Sequence, residues 1–179
     1  MNKALKEILS TSVYLLIVLC LTWLCITYVG QRTQVSGSSM ENMLSHGDNL
    51  IVDKITYRFK APQRFDIIVF PFEYEEDTYY IKRIIGLPGE TVRIDTEGNI
   101  YIDEELLEES YGRAVIADPG RAAEGITLGA DEYFVLGDNR NDSVDSRTEV
   151  VGNIKKENIV GRAWIRIWPF SKFGVLKHQ

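Results

Sequence analysis

The sequence predicts a mainly β domain, of antiparallel sheets or an irregular β-barrel, preceded by one N-terminal transmembrane helix. Three observations predict it. No charged residue lies between Glu7 and Arg32. Beyond Arg32, short β-branched and aromatic runs alternate with clusters rich in Gly, Pro, Asn and Asp, the pattern of strands and turns. Helical periodicity is convincing only in the uncharged stretch.

That stretch, residues 8–31, holds 24 residues. As a helix it reaches roughly 36 Å, enough for a bilayer core of about 30 Å. Lys3 and Lys6 precede it and Tyr28 sits near its far end, which favours an N-terminus on the cytoplasmic side and the remainder outside. The chain thus divides into a cytoplasmic N-terminus (1–7), a membrane anchor (8–31) and an extracytoplasmic domain (32–179) in the cell membrane. A cleavable signal peptide is the competing reading. Its apolar region normally spans about 7–15 residues and ends at an Ala-x-Ala site, whereas Gln31-Arg32-Thr33-Gln34 follows here. Cys20 and Cys25 both lie in the span, so the external domain has no disulfide framework and folds on its own core.

Strands are expected at 49–54, 66–70, 78–85, 132–136 and 159–168. Pro88-Gly89 fits the centre of a type II turn. Residues 91–95 and 99–103 flank Thr96-Glu97-Gly98 as a hairpin. Residues 118–129 read as a loop. Acidic residues gather at Glu73, Glu75, Glu76 and Asp77 and again over 103–109, read as solvated edges.

The net charge of −6 argues against a nucleic-acid partner. No glycine-rich phosphate loop and no His/Cys ligand spacing stands out, so neither cofactor nor metal is expected. The histidines are His46 and His178. A Ser-His-Asp triad would have to use His46, with no supporting motif.

Three segments carry polar chemistry. Val35-Ser36-Gly37-Ser38-Ser39-Met40 sets a hydroxyl among small residues just past the span, where glycine admits a close backbone and amides beside Ser39 could face an oxyanion. Ser/Gly stretches are more often linkers. In Tyr79-Tyr80-Ile81-Lys82-Arg83-Ile84-Ile85, alternation puts Lys82 and Arg83 on opposite faces of an apolar strand. A buried lysine loses its charge more readily and becomes a competent general base. An edge strand with both cations in water is the plainer alternative. Residues 137–147, Gly-Asp-Asn-Arg-Asn-Asp-Ser-Val-Asp-Ser-Arg, suggest irregular backbone held by local hydrogen bonds and Asp–Arg pairs. The spacing of an EF-hand calcium loop is not met.

Together and in this order, these segments resemble the bacterial type I signal peptidases, the membrane-bound Ser/Lys proteases. Ser36 to Met40 is similar to the nucleophile box, Tyr80 to Glu90 to the lysine box, Gly137 to Arg147 to the G-D-N-R-x-x-S-x-D-S-R segment, and Val160-Gly161-Arg162-Ala163 to the closing strand. The resemblance implies that Ser39 attacks the scissile carbonyl and Lys82 takes its proton. It implies that Ser143 orients the lysine, that Asp145 and Arg147 form a supporting ion pair, and that Asp138 lies nearby. The Ser39 amide and a donor near Gly37 would hold the oxyanion. Substrate would add as a strand, with Val35, Leu44, Tyr80 and Ile81 lining pockets for small side chains. Asn42 and Met43 replace the proline and threonine that usually follow the nucleophile, which predicts a looser turn, and Asn141-Asp142 inverts the usual order. The implied partners are the lipid bilayer and signal-peptide-bearing preproteins, pilins among them. An accessory or chaperone of surface assembly with the same fold is the alternative. A self-cleaving Ser/Lys regulator fits poorly with the span and the acidic charge.

Overall fold

The computed structural model describes residues 3–72, 74 and 78–176. The acidic residues Glu73, Glu75, Glu76 and Asp77, and His178, lie outside the described residues. Helix α1, Lys3–Leu24, continues through a π turn over Cys25–Val29. Together they form one apolar helix of 27 residues with no part buried against the domain. Leu5, Ile8, Leu9 and Leu16 are all exposed, which water penalises and lipid does not. The helix stops at Val29, two residues before the expected boundary. Gly30 turns extended, at φ −153° and ψ 147°, and pairs with Asp53 to begin a strand.

Twelve strands follow in chain order: β1 Gly30–Gln34, β2 Asn49–Asp53, β3 Ile67–Pro71, β4 Tyr79–Gly86, β5 Thr91–Ile94, β6 Ile100–Ile102, β7 Glu105–Leu106, β8 Ile126–Thr127, β9 Glu132–Leu136, β10 Ile154–Lys155, β11 Gly161–Trp168 and β12 Gly174–Val175. A short helix α2, Thr56–Phe59, follows β2. Eight strands make one antiparallel sheet ordered β1-β2-β11-β3-β4-β9-β10, with β12 on β11; the rest make a smaller sheet ordered β7-β6-β5-β8. The large sheet ends at β1 and β10 rather than closing on itself.

Alternation decides where the core lies. Along β3, Ile67 and Val69 point into a cluster with Val35, Met40, Leu44 and Ile81, while Ile68 and Phe70 join Ile84, Tyr133 and Val135 on the other face. A strand covered on both sides reads as a continuous apolar run, which β3 does. A third cluster, including Ile85, Val92, Ile94, Phe134 and Leu136, glues the small sheet to the large one.

The expected turn closes at Leu87–Glu90, the Glu90 amide donating to Leu87 at 3.1 Å with Gly89 at φ +84°. In the β5–β6 hairpin the Asp95 carboxylate accepts from the Glu97 and Asn99 amides, both at 2.9 Å. The sequence pattern missed the two-residue strands, whose pairing depends on distant neighbours. Residues 118–129, expected as loop, hold a 3-10 turn, Gly120–Glu124, and β8.

Candidate active site

Strand β4 organises the site. It pairs with β3 from Tyr79 to Arg83, but β9 reaches its other edge only from Arg83 onward. Before that point the second edge of Tyr79–Lys82 has no strand partner among the described residues. Among the described residues β1 pairs on one side only. Between these two free stretches runs a groove of about 660 Å³, lined among others by Val35, Gly37, Ser39, Tyr80, Ile81 and Lys82.

The Ser39 segment is a hairpin tip between β1 and β2. Val35 and residues 47–48 extend the ladder, with Val35 donating to Asp48 at 2.8 Å and Gly47 to Val35 at 2.9 Å. Asp48 accepts from Arg166 Nη1 at 2.8 Å and from the Ser45 amide at 3.0 Å. Gly37 takes φ +92°, a conformation that side chains resist. The turn expected to be loose is held by Glu41 donating to Ser38 at 3.0 Å and Leu44 to Met40 at 2.8 Å. Met43, apolar where a threonine was expected, packs on the core, and Asn42 stays exposed.

Lys82 lies on the groove side of β4, 3 % exposed, with Nζ 2.8 Å from Ser39 Oγ and 3.2 Å from the Ile81 carbonyl. The Tyr80 ring covers Nζ with its centroid 4.8 Å away. Burial pushes the lysine pKa down to about 8; the negative charges of Asp145 and Asp138 pull it up, and burial wins. The edge-strand alternative fails for Arg83 too. Arg83 is wholly buried on the other face, bidentate to Asp138 at 2.8 and 2.7 Å, with Nη1 donating to Phe65 at 2.9 Å and the Tyr111 ring 3.6 Å from its guanidinium carbon.

Residues 137–147 close on themselves and on Ser39. Asp145 accepts the Gly137 amide at 3.1 Å and pairs with Arg147 at 2.8 and 2.9 Å. Arg147 also donates to the carbonyls of Arg140 and, at 3.2 Å, Asp118. The Ser146 hydroxyl and amide lock onto Val135, at 3.0 and 3.1 Å. The Asn139 amide donates to the Ser39 carbonyl at 3.0 Å, and Ser38 Oγ donates to Asp142 at 2.6 Å. Gly137 is where the two segments touch: a Cβ there would meet Ser143 Oγ and, at 2.5 Å, the Ser39 carbonyl oxygen. The sequence drew no attention to Asn139, Ser38 or Tyr80 as partners, because their bonds join residues about a hundred positions apart or depend on rotamer.

Three expectations need correction in detail. Ser143 Oγ is buried beside Gly137 but has no hydrogen-bond partner among the described residues, so it does not hold Lys82 in this conformation. The Gly37 amide donates to His46 Nδ1 at 3.3 Å and is therefore occupied, while the Ser39 amide has no partner among the described residues. Leu44 is 0 % exposed beneath the site and does not line the groove, because the turn after Ser39 folds it into the core. Asp138 lies behind the strand, where it neutralises Arg83. Among the described residues no group of three or more His, Cys, Asp or Glu is gathered to hold a metal ion.

Comparison with known proteins decides the family. The family model described as signal peptidase, peptidase S26, matches residues 7–168. The chain belongs to the signal peptidase family. Signal peptidase relatives include the probable signal peptidase I-2 of Synechocystis sp., 39 % identical over 155 residues, covering 84 % of this chain and 68 % of that one. Signal peptidase I of Leptolyngbya laminosa is 41 % identical over 157 residues, covering 84 % and 74 %. A solved signal peptidase I from Enterococcus faecalis V583, 36 % identical, covers 57 % of this chain and 97 % of that one at a TM-score of 0.48. Membership makes this chain a peptidase, and its N-terminal helix is long and apolar enough to cross a membrane.

Proposed function

We propose that this peptidase removes signal peptides from exported preproteins with a Ser39/Lys82 dyad, held by α1 at the outer face of the cell membrane with its N-terminus cytoplasmic. The observation that carries the reading is the contact of a buried amine with a hydroxyl, Lys82 Nζ to Ser39 Oγ at 2.8 Å. With the amine charged, nitrogen donates to the hydroxyl. Once neutral, its lone pair accepts the Ser39 proton as Oγ attacks the scissile carbonyl. The resulting ammonium then gives that proton to the leaving amine, and the same neutral lysine activates water for hydrolysis of the acyl-enzyme.

The free Ser39 amide is available to the developing oxyanion. The free edges of β1 and of Tyr79–Lys82 offer backbone groups to an extended substrate, whose small side chains would meet Val35, Tyr80 and Ile81. Ser143 carries a buried hydroxyl with no hydrogen-bond partner among the described residues, which leaves it free for the role of orienting the lysine. Asp145–Arg147 and Asp138–Arg83 fix the two segments that clamp Ser39. Tethering supports the choice of substrate: Ser39 follows the helix end by ten positions, so the site and a membrane-held cleavage point share a surface.

The test is incubation of purified wild type, Ser39→Ala and Lys82→Ala with a panel of preproteins and pilins. Cleavage at the signal-peptide junction by wild type alone is expected. Undiminished cleavage by either variant sinks the dyad, and binding without cleavage by wild type would favour an accessory role.

A further inference from the structure

A second cavity, of about 380 Å³, lies where the helix end meets the β domain. Tyr28 comes from the π turn, Lys54 follows β2, Tyr57 and Arg58 belong to α2, and Lys156 precedes β11. Every charged residue lining it is a cation. None of the three pairs with an acid among the described residues. The neighbouring carboxylates are engaged elsewhere. Asp53 accepts from the Ile55 and Thr56 amides at 2.8 and 3.0 Å and from the Thr56 hydroxyl at 2.5 Å; Asp66 accepts from the Tyr57 hydroxyl at 2.8 Å, the Gln63 amide at 3.0 Å and Arg162 at 3.4 Å. Glu157 follows Lys156 in the chain but does not line the cavity.

Uncompensated like charges repel, so gathering three of them around one hollow costs stability unless an anion joins them. The depth of the hollow says which anion. The apolar helix ends at Val29, and the Lys54 amide donates to the Val29 carbonyl at 3.0 Å, tying the end of β2 to the last helical residue. The Arg58 guanidinium sits 5.4 Å from the centre of the Tyr28 ring, an interfacial aromatic. Residues of the helix itself form one wall, so whatever fills the cavity lies against the lipid at headgroup depth.

We propose that this cavity seats the phosphate of an anionic phospholipid headgroup from the outer leaflet, with Arg58 as its forked donor and Lys54 and Lys156 as point charges. The inference rests on the reading that α1 crosses the membrane. Its consequence is positional: a lipid held beside the helix gives the domain a second attachment and sets the height and tilt at which the groove meets its substrate.

The experiment uses the full chain in mild detergent and native mass spectrometry, with phosphatidylglycerol or phosphatidylcholine added in equal amounts. Wild type should retain phosphatidylglycerol preferentially, and each of Lys54→Ala, Arg58→Gln and Lys156→Ala should lower that retention about five-fold. Raised salt should weaken the preference. Equal retention of both lipids by wild type overturns the proposal, as does undiminished selectivity in the triple variant. Displacement of the lipid by an equal concentration of inorganic phosphate would show a free-anion site and also overturn it. Arg58 and Lys156 are exposed and Lys54 is half-buried, and a melting curve for each variant shows that the fold persists. Lipid retention is read without cleavage, so a lipid-selective but inactive protein would refute the peptidase reading alone.

Discussion

Protonation of one amine should govern the rate. With the Lys82 pKa at about 8, about one-tenth of the enzyme carries a neutral lysine at pH 7, about one-hundredth at pH 6 and about nine-tenths at pH 9. An unshifted lysine near 10.5 would leave about 0.03 % neutral at pH 7, so burial raises the competent fraction about 300-fold. The assay is kcat/KM for a neutral signal-peptide substrate from pH 5.5 to 9.5 at constant ionic strength. The expected curve climbs tenfold per pH unit on its acid side and levels off near pH 8. A flat profile between pH 6 and 9, or an inflection near 10.5, would refute the argument that a desolvated Lys82 is the base.

The same shift has a stability counterpart. Between pH about 8 and 10.5 the unfolded chain binds a proton at Lys82 that the native chain does not, so wild type should gain stability with rising pH, on the order of 3 kcal/mol, while Lys82→Met shows no such gain in denaturant titrations. Asp138→Ala strands the buried Arg83 guanidinium and should cost about 3–5 kcal/mol, read as a fall in Tm; replacing both partners with apolar residues should restore much of it. Gly137→Ala pushes a methyl into the contact of the loop with Ser39 and should cut kcat more than KM changes, with about 1–3 kcal/mol lost in stability. Leu44→Ala opens a cavity under Ser39 and should cost about 2–5 kcal/mol without altering which substrate side chains are accepted, because Leu44 does not reach the groove.

The apolar helix, the predominantly antiparallel β architecture and the positions of the longer strands were legible along the chain. Each follows from a local pattern: uncharged length for the helix, short β-branched and aromatic runs for β3, β4 and β9, turn residues at Pro88-Gly89 and Gly98. Local patterns also marked Ser39, Lys82 and the polar segment 137–147 as unusual. What they left open was whether Lys82 and Arg83 met water or protein, because alternation assigns faces without saying what covers them. Only the sheet order answered that. By placing β4 between β3 and β9 and ending the β9 pairing at Arg83, it buried one cation against Asp138 and opened the edge beside the other to the groove. The free Ser143 hydroxyl, the Gly37–His46 bond, the burial of Leu44 and the cationic hollow at the helix end likewise arise from residues brought together by folding. A sequence specifies the nature and spacing of its groups; distance and desolvation, which set a pKa or make a pocket, exist only once the strands are packed.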